Sequence, residues 1–406
     1  MESRAGGPVV AVDRMCRGMA RLGVEPIVLT TDALRAGGSG TNDEEHAGAS
    51  PCADACRADD YETRVCRAAF RRYAYSPSMR VALDSLVPAC DVVHVHTLWA
   101  HTTRAAIRAC RRHDVPCVVM PHGMLDPHSL ARKALRKRIY GHLFEFPALR
   151  SVAGMVYTTV DERRLAESAV HGLPPGHVVA LGADAPPDDR PTLAREFLKS
   201  RPHLAGRKII TFLGRIHSKK GLDLLIPAFA DIAAGAPDAH LLVIGPDDEN
   251  LWPRLGRRID EQGLSSRVTR IDMVLGRAKW AALAASDVFV LPSYQENFAI
   301  AVAEAMRSGT PVVITDRVNI WRTVEAQRGG RVVPPDARAV ADAIRATLAS
   351  EADWHRMSMA AARAATEHFD WATTAKTTLD VYRRAIGDAG RRTRQDSPLR
   401  CLTEIG

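Results

Sequence analysis

Residues Ser286 to Val313 read SDVFVLPSYQENFAIAVAEAMRSGTPVV. The run Asp287-Val288-Phe289-Val290-Leu291 is short, apolar and closed by Pro292-Ser293, the pattern of a parallel strand buried on both faces. A polar loop, Tyr294-Gln295-Glu296, follows. From Asn297 to Ser308 the chain carries Ile300, Ala303, Ala305 and Met306 among good helix formers, and Gly309 and Pro311 stop it. Val312-Val313-Ile314 begins the next strand. Strand, loop, helix and strand in this order predict one unit of a doubly wound parallel sheet.

Two carboxylates belong to this unit, Glu296 at the helix entrance and Glu304 further along. On one helix they would differ by about 80° in direction and roughly 12 Å in height, so both could line one wall of a cleft. The competing reading is a Glu296 favoured by the helix dipole and a solvated Glu304. With the Gly-Thr-Pro-Val-Val exit, the stretch resembles the E-x7-E signature of retaining nucleotide-sugar glycosyltransferases of the group 1 (family 4) type. That resemblance implies that Glu296 fixes sugar hydroxyls and Glu304 holds the nucleotide ribose.

A chain of 406 residues exceeds one ordinary core and suggests two domains. A hydrophobic content of 46% is that of a soluble globular protein, no apolar run is long enough to span a bilayer, and Met1-Glu2-Ser3-Arg4 leads into a Gly-Gly-Pro turn. The expectation is a cytoplasmic protein. Eight cysteines are too sparse for a disulfide scaffold, and the Cys52-x3-Cys56 pair lacks a matching second pair, so free thiols are expected. The formal charge of +8 favours polyanionic partners: nucleic acid, anionic lipid or phosphorylated substrates. Only 5% of residues are aromatic and none interleave with a basic run, which argues against nucleic acid. No G-x-G-x-x-G lies between a strand and a helix, which argues against a dinucleotide enzyme.

Outward from the anchor, Lys208-Ile209-Ile210-Thr211-Phe212-Leu213 is a strand ending in Gly214-Arg215, with Lys219-Lys220-Gly221 at the entrance of the next helix. Two cations and a helix N-terminus around one point suit a diphosphate. The segment also resembles the G-R…K-G donor motif of the same glycosyltransferases. Backbone amides near Asn297-Phe298-Ala299 and at the turn Gly6-Gly7, which opens a helix over about 9–22, are further anion-binding candidates. Asp91-Val92-Val93-His94-Val95-His96 and Pro116-Cys117-Val118-Val119-Met120 read as strands. The segments HVHTLW (94–99) and PHGMLDP (121–127) resemble the same family. There the histidine of the second segment approaches the transferred sugar and phosphate, a role that falls here on His122, leaving His96 and Asp126 as acceptor-side candidates. Leu130 to Leu149 reads as one basic amphipathic helix, able to lie on an anionic membrane or to hold a phosphorylated acceptor. Arg64 to Tyr73 reads as a helix.

The ordered set of motifs implies the GT-B fold: two Rossmann-like doubly wound parallel-sheet domains facing across a cleft. The expected division is a first, acceptor-side domain over 1–185, with a mobile insertion at 33–60 and no strand ahead of its glycine turn. A nucleotide-sugar domain over 186–370, a helix over 371–386 returning to the first domain, and a disordered tail over 387–406 complete it. The implied activity is retaining, metal-independent transfer from a nucleotide-diphosphate-sugar to a saccharide or lipid-linked acceptor, in cell-surface polysaccharide or glycolipid assembly. No cofactor is implied, and peripheral contact with the inner membrane face is expected through 130–149. The alternatives are a donor-binding but inactive homologue and a basic nucleic-acid-binding protein.

Overall fold

A computed structural model describes residues 7–34, 54–57, 60–70, 73–132, 134–390 and 398–405. The chain forms two compact units, one of Met1–Ala180 with Trp371–Gly406 and one of Leu181–Asp370.

The strands of the first unit are β1 (Glu25–Thr31), β2 (Asp54–Arg57), β3 (Glu62–Cys66), β4 (Val92–His96), β5 (Cys117–Met120), β6 (Gly154–Tyr157) and β7 (Gly176–Val178). Those of the second are β8 (Lys208–Leu213), β9 (Ala239–Ile244), β10 (Val268–Ile271), β11 (Val288–Leu291), β12 (Val312–Thr315) and β13 (Gly330–Val333). A last strand, β14 (Arg400–Ile405), returns to the first unit.

Among the described residues the second sheet runs β10-β9-β8-β11-β12-β13, all parallel. The anchor strand β11 lies inside it between β8 and β12, and Val288 to Leu291 are buried on both faces, as its unbroken apolar run requires. The helix after it is shorter than expected. It spans Ile300–Arg307, and residues 297–299 form its approach, with Ala299 in the left-handed region at φ +61°.

The first sheet runs β2-β3-β1-β14-β4-β5-β6-β7. Three sequence expectations give way here. Residues 54–57, inside the expected mobile insertion, pair antiparallel with β3; residues 35–53 and 58–59 lie outside the described residues. The expected helix from Arg64 is instead β3, because Tyr61, Thr63 and Cys66 bury their side chains in a strand that pairs with β1.

The third correction concerns the tail. Residues 391–397 and 406 lie outside the described residues, but the end of the chain is an interior strand. β14 is parallel to β1 on one side and to β4 on the other, and Cys401, Leu402, Thr403 and Glu404 are at most 1% exposed. In a doubly wound sheet the strand that precedes the first helix lies between the second and fourth strands. With the helix Gly7–Arg21 and β1 following it, that central place is the one a strand leading into this helix would take. β14 fills it from the other end of the sequence. Its Cys-Leu-Thr-Glu-Ile alternation sends Leu402 into the core beside Val93 and Val95, and brings Thr403 against Cys16 of the first helix. The helix Trp371–Asp388 also belongs to this unit, packing Ala375 against Gly18 and burying Tyr382.

Candidate functional site

In the second unit, the C-terminal ends of β8 and β11 bring two loops together. Gly221 ends the Ser218–Lys220 turn at φ +73°, and a Cβ built on it would lie 2.0 Å from the Pro292 carbonyl oxygen. Only glycine lets these loops approach so closely. The Tyr294 N–H donates to the Lys219 carbonyl at 2.8 Å, locking the two. The result is an ion triad around a buried carboxylate: Lys220 Nζ lies 2.6 Å from Glu296 Oε2 and the half-buried Lys219 places Nζ 3.3 Å from Oε1. Burial would raise the Glu296 pKa, but the Lys220 and Lys219 ammoniums outweigh it and hold the carboxylate below its ordinary value. For Lys220 burial prevails over Glu296 and lowers its pKa.

Glu296 is therefore not a helix residue. Its N–H donates to the Arg317 carbonyl and its carbonyl accepts from Asn319, in a bridge to Val318. The helical angle expected between Glu296 and Glu304 does not apply, because the chain bends at Ala299 between them. Glu304 is buried on the helix Ile300–Arg307, with Lys279 Nζ 2.6 Å from its Oε1. Arg215 is more open and pairs with Asp248 at 2.9 Å. Asp247 caps the helix Trp252–Glu261, accepting from the Leu251 and Trp252 N–H groups. Phe298 is buried edge-on against Phe369, so its backbone is what that position can offer a ligand. Asn297 and Ala299 are half-buried beside it.

In the first unit, the C-terminal ends of β4 and β5 carry a histidine cluster. His94 and His96, two apart on β4, stand on one face with ring centroids 4.1 Å apart. His96 Nδ1 lies 2.9 Å from His122 Nε2, and His94 Nδ1 lies 2.9 Å from the Tyr382 hydroxyl. His122 adopts φ +50°, a region that non-glycine residues rarely enter, and Gly123 follows at φ +76°. Glu162 holds this turn, accepting the Gly123 N–H at 2.6 Å and both the N–H and hydroxyl of Thr158. Burial pushes the His122 pKa down to about 4 and that of His94 to about 3, and it pushes His96 well below the ordinary value, so all three rings are neutral near pH 7.

The two acceptor-side expectations change meaning. His96 is fully buried, so it stands behind His122 and does not face an acceptor. Asp126 is buried as the N-cap of the helix Pro127–Ala131, accepting the His128 N–H at 2.7 Å. Gly7 opens the helix Gly7–Arg21, and Gly6 lies outside the described residues. Sequence reasoning missed Lys219 as a second partner of Glu296, Lys279, Glu162 and Tyr382. The period-2 spacing of His94 and His96 could have signalled their shared face.

The expected single helix over 130–149 is broken into Pro127–Ala131, Ala134–Tyr140, a wide π turn at Gly141–Glu145, and Phe146–Leu149, where Pro147 lacks an N–H to continue the ladder. Leu135, Ile139 and Leu143 are 73%, 54% and 63% exposed, an apolar stripe at four-residue spacing, next to exposed Arg132, Arg136 and Arg138. Lys133 lies outside the described residues. Cys16, Cys90, Cys110, Cys117 and Cys401 are free thiols, and they and Cys66 are buried. Among the described residues no helix is long and apolar enough to cross a membrane.

Comparison with known proteins adds a family. Residues 207–350 match the family model for glycosyl transferases group 1, and residues 6–183 match that of a glycosyl transferase 4-like domain. A D-inositol 3-phosphate glycosyltransferase of Xylanimonas cellulosilytica is 31% identical over 316 residues, 73% of this chain and 72% of that one. A phosphatidyl-myo-inositol mannosyltransferase of Mycobacterium leprae is 33% identical over 193 residues, 46% of this chain and half the length of that relative. In fold, sucrose-phosphate synthase from Thermosynechococcus elongatus superposes with a TM-score of 0.71 at 21% identity, covering 95% of this chain and 94% of the other. HepE from Anabaena, in complex with UDP-glucose, gives 0.64 at 19% identity over 79% and 85% of the chains. The fold of the chain is the GT-B fold expected from its sequence.

Proposed function

Because the chain belongs to the group 1 glycosyltransferases, we propose that it transfers a sugar, with retention of anomeric configuration and without a metal ion, from a nucleotide-diphosphate-sugar to a saccharide or lipid-linked acceptor. The observation that carries this reading is the Lys219–Lys220–Glu296 triad, with its carboxylate buried, at the strand ends of the second unit. Breaking the bond from anomeric carbon to diphosphate builds negative charge on the leaving oxygen, and catalysis requires fixed positive charge where it develops. Lys220, Lys219 and Arg215 supply it, with the amides at 297–299; the turn that opens the helix Gly7–Arg21 is a further anion-binding candidate, in the first unit. Glu296 holds the ammoniums in place before the donor arrives and turns to the sugar hydroxyls when the phosphates share them. Glu304 takes the ribose, and His122 meets the transferred sugar and its phosphate. Among the described residues no carboxylate stands out as a covalent nucleophile, so the acceptor attacks the face that the diphosphate leaves, its proton passing to the leaving phosphate oxygen.

A thermal-shift panel of UDP-, GDP- and ADP-sugars tests the donor. One class should raise Tm, and Lys220→Ala should abolish that shift and lower kcat by roughly 10²–10³-fold, the usual effect of removing one charge-stabilising donor. An inverted anomeric product by NMR would refute retention. A Lys220→Ala protein as active as the parent would refute the charge assignment.

The same reading places the enzyme in glycolipid or cell-surface polysaccharide assembly. Its support is the exposed stripe Leu135, Ile139 and Leu143 beside Arg132, Arg136 and Arg138. An apolar edge flanked by cations suits the surface of an anionic bilayer. Co-sedimentation with phosphatidylserine vesicles should be strong at low salt and fall with added salt. Equal binding to neutral phosphatidylcholine vesicles, or none to either, would refute it. The comparisons give no support to a nucleic-acid-binding role.

A further inference from the structure

The three histidines at the ligand edge of the first unit form a line whose hydrogen positions are decided by what lies behind it. His96 is fully buried and uses Nδ1 on His122, while its Nε2 has no partner among the described residues. His94 is arranged the same way: Nδ1 meets the Tyr382 hydroxyl and Nε2 is buried without a partner. A buried N–H with no acceptor is rarer and costlier than a buried lone pair with no donor. Both inner rings therefore carry their hydrogen on Nδ1. His94 then donates to the Tyr382 oxygen, and His96 donates to Nε2 of His122. A neutral His122 whose Nε2 accepts must carry its own hydrogen on Nδ1.

We propose that His96 is a positioning residue that locks His122 in the Nδ1–H tautomer, so that His122 presents a hydrogen-bond donor to an oxygen of the nucleotide-sugar, either a phosphate or a sugar hydroxyl. This rests on the glycosyltransferase reading above for the identity of the ligand, but the tautomer does not. The left-handed backbone of His122 and the glutamate clamp on Gly123 hold the ring at the edge of the strand, where the His96 bond fixes its rotation. His96 does this without touching substrate. Its neighbour His94, tilted against it with ring centroids 4.1 Å apart and tied to the helix Trp371–Asp388 through Tyr382, packs behind the His96 ring. A donor, unlike an acceptor, is matched to an oxygen that gains negative charge as the glycosidic bond breaks.

The test begins with the unsubstituted protein. Histidine-labelled with 15N, the full chain should show His122 with a protonated Nδ1 and a pyridine-like, unprotonated Nε2, the assignment fixed by loss of those signals in His122→Gln. His96 should show the same tautomer. A protonated Nε2 on His122, or rapid averaging of its two nitrogens, overturns the proposal whatever the substrate proves to be. The second arm uses the nucleotide-sugar that raises Tm. His96→Phe removes the lock and should lower kcat by roughly 10–100-fold with KM for the donor little changed, the loss of one hydrogen bond to a charged group. His96→Gln, whose amide N–H can still reach Nε2, should recover most of that loss. If the two variants lose activity equally, in step with Tm, the residue is merely structural and the proposal fails. If no donor binds the unsubstituted protein, the glycosyltransferase reading fails while the tautomer measurement stands.

Discussion

Removing residues 398–406 should unfold the first unit while the second still unfolds as a separate cooperative transition. β14 is held from both sides, with six residues in register with β1 and five with β4. Leu402 and Ile405 each contribute about 1.5–3 kcal/mol of apolar burial. The ladder bonds on the two edges, at roughly 1 kcal/mol each net, bring the total to the order of 10 kcal/mol. That rivals the whole stability of an ordinary domain, about 5–15 kcal/mol. The deletion would also leave two unpaired edges in the middle of a sheet, which invites aggregation. Calorimetry should show two transitions in the full chain and one in the truncated chain, and a synthetic peptide of residues 398–406 should restore part of the lost transition. A truncated protein that keeps both transitions would show that β1 and β4 close on each other, and that the strand is dispensable.

The second large effect is expected at Gly221. Its Cβ position lies 2.0 Å from the Pro292 oxygen and 2.7 Å from the carbonyl carbon, both backbone atoms that cannot swing aside. Adding the φ +73° strain, roughly 1–2 kcal/mol for an L residue, Gly221→Ala should destabilise the second unit by on the order of 4 kcal/mol or more. It should also abolish donor binding, because the loop that must move carries Lys219 and Lys220 onto Glu296. Gly263→Ala is the control: φ is +69° there, but nothing lies within 4 Å of the added carbon. It should cost only the backbone strain, about 1–2 kcal/mol. Urea unfolding of the two variants separates the terms. Equal losses would mean that backbone strain, and not the close approach to Pro292, is what the glycine relieves.

These two positions also mark where sequence reading reached and where it stopped. Alternating strands and helices were legible because buried parallel strands need unbroken apolar runs such as VFVL at 288–291, and because Gly309 and Pro311 can end a helix without tertiary help. Arg215 and Lys220 stood out as a candidate diphosphate site because cations at strand ends and helix entrances suit one, and Glu296 and His122 stood out because the motifs keep their order in the chain. Several features had no local signal. Charge pairing between Glu296 and two lysines arises from a loop contact between segments far apart in sequence. The left-handed bend at Ala299 removes the helical relation that spacing implied for Glu296 and Glu304. Asp126 and His96 carry the right chemistry for an acceptor site, yet one is consumed by a helix cap and the other by burial.

The sequence by itself determined the class of sheet, the order of the motifs and the family, since each depends on residue type and short-range pattern. Tertiary structure decided which strand stands at the centre of the first sheet. Five residues, Cys-Leu-Thr-Glu-Ile, read in isolation as the end of a disordered tail, because a short apolar segment has no stability of its own. Between β1 and β4 the same five residues find both hydrogen-bonding edges and an apolar layer on each face, and only that long-range pairing makes them a strand.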